Sequence, residues 1–194
     1  STSFAQPAKG QVATATKTKK PKRVGILIFP DVEVIDFTGP YEVLSRAFED
    51  GEPVFEIVTV ALTPDVVHTA PDNKGMAITP NFTFANCPDL DLLIIPGGTV
   101  RDVTESDTYQ SWLKAQSQKV ECMMSVCNGA IPLAKAGLLK GLKVTSNAFA
   151  LKRLKDMEPT CEVVRDKRFV DNGKVVMTGG LSAGIDGALH LIDR

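Results

Sequence analysis

Residues 119–137 read KVECMMSVCNGAIPLAKAG, and the middle of this stretch decides the fold. An apolar, strand-like run from Val120 to Val126 stops at Cys127. Asn128 and Gly129 follow, and the small residues from Ala130 to Ala136 open a helix. A strand that turns sharply into a helix lifts the residue at the turn out of the sheet and presents it at the carboxyl edge. There Cys127 is expected beside the first free N–H groups of the helix, which favour a thiolate over a thiol. The Cys127 sulfur is thus the candidate centre of chemistry, on a nucleophile elbow built with cysteine.

Outward from this turn the pattern repeats. RVGILIF at 23–29 and LDLLII at 90–95 are short, apolar and partly β-branched, as buried parallel strands are. Residues 54–61 and 174–178 read as further strands. Helices are expected at 38–48, with Thr38 as N-cap and Pro40 in the first turn, at 104–118 with Trp112 and Leu113 inward, at 148–155 and at 182–192. Residues 66–79 read as a hairpin or short extended pieces around Asp72-Asn73-Lys74-Gly75, and short strands at 143–145, 161–164 and 168–170 complete the chain. Strands alternating with helices give an α/β three-layer, flavodoxin-like sandwich with a mainly parallel central sheet. Such sheets hold ligands beyond the carboxyl ends of their strands, where residues 31–36, Gly97-Gly98 and Cys127 all fall.

Composition narrows the function. The 194 residues carry a net charge of -1, which argues against a nucleic-acid or anionic-membrane partner. No apolar run reaches the ~18 residues of a spanning helix. Four cysteines and two histidines, with no CxxC pair, make neither a zinc site nor a disulfide framework. No metal and no cofactor is expected. Residues 1–21 are rich in Ala, Thr, Gln and Lys without apolar periodicity and read as a disordered leader, so the folded domain is expected at 22–194. The expected location is cytoplasmic, or exported and periplasmic if a signal peptide preceded Ser1.

Several motifs in order resemble the ThiJ/PfpI superfamily of class I glutamine-amidotransferase-like folds. They are DVEVIDFTGPYEVL at 31–44, LDLLIIPGG at 90–98, SVCNGA at 125–130, AGLLKGLKVTS at 136–146 and RFVDNGKVVMTGGLSAGIDGALHLI at 168–192. The branch resembled most is that of isonitrile hydratase and the amidase-like domains of AraC-type regulators. The resemblance implies that Cys127 is the nucleophile, that Asp36 hydrogen-bonds it, and that the N–H groups of Gly98 and Asn128 stabilise a developing anion. It also implies a homodimer acting on a small molecule. Many members carry a histidine in a Thr-Thr-His segment after the elbow; here that segment reads Thr145-Ser146-Asn147.

A thiolate attacks electrophilic carbon, and Asp36 can act beside it in two ways. Ionised, it opposes the thiolate; protonated, it donates a hydrogen bond and later a proton. The protonated form is favoured, because two negative groups in one dry pocket repel. The leading function is a cysteine-dependent enzyme, isonitrile hydratase-like or amidase-like. The alternative is a non-catalytic ligand-binding or redox-sensing module related to the regulator domains. Asp36 also reads as a helix-capping carboxylate, and Gly97-Gly98 as turn punctuation. Cys87, Cys122 and Cys161 read as packing residues, His190 as a satisfied core or interface histidine, and His68 as solvated.

Overall fold

The structure is a computed structural model that describes residues 20–194, so the leader expected over 1–21 lies, up to residue 19, outside the described residues. Seven strands form the central sheet: β1 (Lys22–Leu27), β2 (Phe55–Ala61), β3 (Phe82–Thr83), β4 (Leu92–Ile95), β5 (Cys122–Val126), β6 (Phe169–Asp171) and β7 (Val175–Thr178). Their order across the sheet is β6-β7-β5-β4-β1-β2-β3, and every pair is parallel except β6 with β7. The apolar runs are central because both faces of a parallel sheet are covered. Leu93, Ile94 and Met123 are fully buried, and each such side chain contributes about 1.5–3 kcal/mol by leaving water.

Among the described residues six helices flank the sheet: α1 (Val34–Ser45), α2 (Arg101–Glu105), α3 (Asp107–Lys119), α4 (Ala130–Lys135), α5 (Ala150–Met157) and α6 (Ser182–Asp193). This is the α/β sandwich expected from the sequence. The antiparallel hairpin pairs Val67–Ala70 with Lys74–Ile78 and turns through Asp72 and Asn73, both at positive φ.

The differences are local. α1 starts at Val34, a full turn before the expected cap, so Thr38 is inside it and its hydroxyl donates to the Val34 carbonyl at 2.7 Å. Burial of Asp36 and Phe37 against the sheet draws the chain into the helix before the Thr-Gly-Pro signal, and Phe48 leaves it for a two-residue strand. The helix expected at 104–118 is two, broken at Ser106, whose extended backbone (ψ 125) separates α2 from α3. Residues 143–144 and 162–163 pair only with each other, away from the central sheet.

Candidate active site

Four carboxyl-end loops and one helix meet above β1, β4, β5 and β7. The chain leaves β5 at Val126 in extended geometry, and Cys127 then takes φ 54 before a single 3₁₀ turn leads into α4. A non-glycine residue with positive φ is costly and concentrates at functional positions. Gly129 allows the turn to close: a Cβ there would stand 2.0 Å from the Ile95 carbonyl oxygen. Gly98 stands at φ 124, and a Cβ would meet the Asp31 carbonyl oxygen at 2.3 Å.

Asp36, on the first turn of α1, is fully buried. Its two oxygens accept from the Gly97 N–H (3.1 Å) and the Leu181 N–H (2.9 Å), and its carboxyl and the Cys127 thiol are near enough to shift each other's proton affinity. Leu181, at the entry to α6, adopts φ 55 to make its contact. Burial pushes the Asp36 carboxyl above the usual carboxylate range against the two N–H donors, and the charge of nearby Glu33 adds to the push.

Asn147 joins the site without having been anticipated. Its Nδ2 donates to the Cys127 sulfur at 3.2 Å and also to Asn128 Oδ1. Its Oδ1 accepts from the N–H groups of Phe149 (3.0 Å) and Ala150 (3.1 Å), a capping arrangement at the start of α5 that fixes which end of the amide faces sulfur. The only sequence signal was its place, third in the segment where relatives carry histidine. The Ser146 hydroxyl adds a bond to the Cys127 carbonyl at 2.6 Å.

These contacts set the thiol. Burial pushes Cys127 up, the Asp36 charge pushes it further, and the Asn128 N–H and Asn147 amide pull the other way. The net direction is up, so the resting group is a neutral thiol; the donor effect expected from the elbow is outweighed by desolvation in a half-buried pocket. The Gly97 N–H is committed to Asp36, whereas the Gly98 N–H has no acceptor among the described residues. Gly180 keeps the sulfur open, since a Cβ there would lie 3.2 Å from it.

The other candidates lie elsewhere. Cys122 and Cys161 are buried and all four cysteines are free. His190 bonds Asp171 at 2.7 Å and stacks on Phe169, a satisfied structural histidine. His68 differs from expectation: it is half-buried and its Nδ1 has no partner among the described residues, because β-pairing of the hairpin draws it in. No group of three or more His, Cys, Asp or Glu among the described residues is placed to hold a metal ion, and none of their helices is long and apolar enough to cross a membrane.

Replacing Asn147 separates its two tasks. Asn147→Leu is expected to raise the Cys127 pKa further and to slow alkylation below the titration midpoint about three- to tenfold, the effect of one lost hydrogen bond of ~0.5–1.5 kcal/mol. Asn147→Asp keeps the cap but adds a charge, and should slow it more. Rates of iodoacetamide labelling by intact mass decide this; equal rates in all three proteins would leave Asn147 a cap only.

Compared with known proteins, residues 22–194 match the DJ-1/PfpI family. The chain is 33% identical to isonitrile hydratase of Pseudomonas putida over 171 residues, covering 87% of this chain and 70% of that protein. It is 26% identical to the HTH-type transcriptional regulator GbdR of Pseudomonas aeruginosa, covering 92% of this chain but 48% of the regulator, so it spans about half of that relative. Among solved structures, a ThiJ/PfpI family protein from Pseudomonas syringae superposes with a TM-score of 0.78 at 27% identity, over 97% of this chain and 74% of the other. Drosophila melanogaster DJ-1beta shares the fold, with a TM-score of 0.77 at 21% identity over 89% of each chain.

Proposed function

The chain belongs to the DJ-1/PfpI family, and from that premise we propose that it is a cysteine-dependent enzyme acting on a small electrophile, isonitrile hydratase-like or amidase-like. The observation that carries this reading is the convergence on one strained cysteine, Cys127, of a buried carboxyl and an amide donor. A nucleophile, a proton carrier and an orienting group gathered in one pocket are what covalent catalysis requires.

In the hydratase version the Cys127 sulfur bonds the terminal carbon of an isonitrile, and the thiol proton passes through Asp36 to the same carbon, leaving a thioimidate. Water then adds across the C=N bond, hydroxyl to carbon and hydrogen to nitrogen. The hydroxyl proton returns to sulfur as the C–S bond breaks, and an N-substituted formamide leaves. Asp36 suits this role because its raised pKa brings it toward the range in which a carboxyl both gives and takes protons. In the amidase version the free Gly98 N–H and the Asn128 backbone stabilise the tetrahedral oxyanion, each good donor contributing about 3–4 kcal/mol. Pairing of two copies is part of the same proposal, supported by the exposed apolar side chains Ile35 and Tyr41 on α1 and Leu189 on the adjoining α6.

A second reading has its own support. A pushed-up thiol in a site without imidazole suits a module that binds a ligand without turning it over, whereas redox sensing calls for a more acidic thiol. The experiment that separates the two is the pH dependence of Cys127 alkylation in the wild type and in Asp36→Ala, followed by turnover of simple alkyl isonitriles and amides. The wild-type midpoint is expected above the ~8.5 of a free thiol. Removing the Asp36 charge should lower it, so labelling below the midpoint accelerates while turnover disappears. An unchanged midpoint, with no turnover by the wild type, would leave the binding module standing.

A further inference from the structure

A second cavity of about 520 Å³ lies beyond the carboxyl ends of β1 and β2, on the far side of the loop that carries Asp31. Its floor is apolar: Ile28, Phe29, Val67 and Val103 are all buried. Its rim is acidic, with Asp31, Asp65 and Asp102, and no lysine or arginine lines it. Tyr109 closes the inner wall. It is 5% exposed, its ring is held edge-on by Phe84, and its hydroxyl has no hydrogen-bond partner among the described residues. The Asp102 charge acts on that hydroxyl, and burial together with Asp102 pushes its pKa up to about 12, so it stays a neutral phenol. That hydroxyl opens onto the cavity, where it is free to bond a ligand.

We propose that this cavity binds a small organic cation: an ammonium group on a compact apolar body. The apolar floor takes the body. The ammonium N–H groups donate to Asp102 and to the Tyr109 oxygen, and Asp31 and Asp65 supply the remaining field. A carboxylate-bearing ligand would meet three like charges, and a neutral one would gain nothing from them. The volume suits a molecule of small-drug size. The cavity shares a wall with the candidate active site, since the Thr99 N–H donates to the Asp31 carbonyl at 3.1 Å and Gly98 lies between them and Asn128. It holds none of the residues placed around Cys127, so this inference stands apart from the catalytic reading.

Benzylammonium is the probe, titrated by calorimetry into the full chain, with benzyl alcohol and benzoate as its neutral and anionic counterparts. Benzylammonium is expected to bind with a dissociation constant of about 1 mM or tighter, and the counterparts not to bind up to about 10 mM. The double variant Asp31→Asn, Asp102→Asn should weaken binding about tenfold. Asn tolerates the positive φ of residue 31, and Asp102 is exposed, so the fold is kept. Tyr109→Phe should weaken it about threefold. Cys127→Ser should bind as the wild type does. Equal affinity for benzyl alcohol, affinity unchanged in the double variant, or no binding at all would overturn the assignment. Loss of binding in Cys127→Ser would place the amine in the thiol pocket and overturn it equally.

Discussion

Gly129→Ala is expected to destabilise the protein by about 3 kcal/mol or more, lowering the melting temperature by roughly 6–12 °C for a chain of this size. Gly129 has φ -55 and ψ -16, a geometry in which alanine is ordinarily favoured over glycine. Propensity therefore predicts a gain. The loss comes wholly from contact: the added Cβ would meet the Ile95 carbonyl oxygen at 2.0 Å and the Pro96 oxygen at 2.8 Å, both rigid backbone at the end of β4. The elbow has to lift away from β4, and Cys127 moves with it, so thiol labelling should change alongside stability. Gly137→Ala is the control. It has φ 76 but open space around it, and tests backbone strain without a clash, at about 1 kcal/mol. Calorimetric melts of the two variants decide the matter. Equal small losses would mean that the elbow does not press against β4 as described.

Cys127→Ala is expected to lower turnover by about a thousandfold or more, to the background of the remaining binding groups. Residual turnover within tenfold of the wild type would move the chemistry off this sulfur and end the catalytic reading. The same position makes a prediction about stability. At φ 54 any side chain strains the backbone by about 1 kcal/mol, so Cys127→Gly should be about 1 kcal/mol more stable than Cys127→Ala in urea denaturation. Such an outcome would mean that the fold holds this residue in a conformation it would not choose. That is the pattern expected where a position is kept for what it does to a ligand.

The two halves of the site were legible to different degrees. Cys127 was readable because its context is local: an apolar run, an abrupt stop, a glycine two residues on and small residues after it. The parallel sheet was readable for the same reason, from runs such as LLII that suit only a strand covered on both faces. Asp36 was placed by motif, but its surroundings were not, because its two N–H donors lie 61 and 145 residues away in the chain. Asn147 is not legible in the sequence, because it reaches Cys127 across 20 residues and through a cap that belongs to a different helix. The start of α1 differs from expectation because Thr38-Gly39-Pro40 carries a strong local signal that the burial of Asp36 and Phe37 overrides. The direction of the thiol shift was also beyond the sequence. Donors near the sulfur are visible in a motif, whereas the water excluded from a pocket is not.

The asparagine that caps α5 and reaches the sulfur has a genetic side. Asparagine and histidine codons differ by one base, so residue 147 is a single mutational step from an imidazole at this place in the chain. That step would exchange a helix cap worth about 1 kcal/mol for a group that titrates near neutrality. At residue 147, then, the robustness of one short helix bears on which proton chemistry the neighbouring cysteine has at hand.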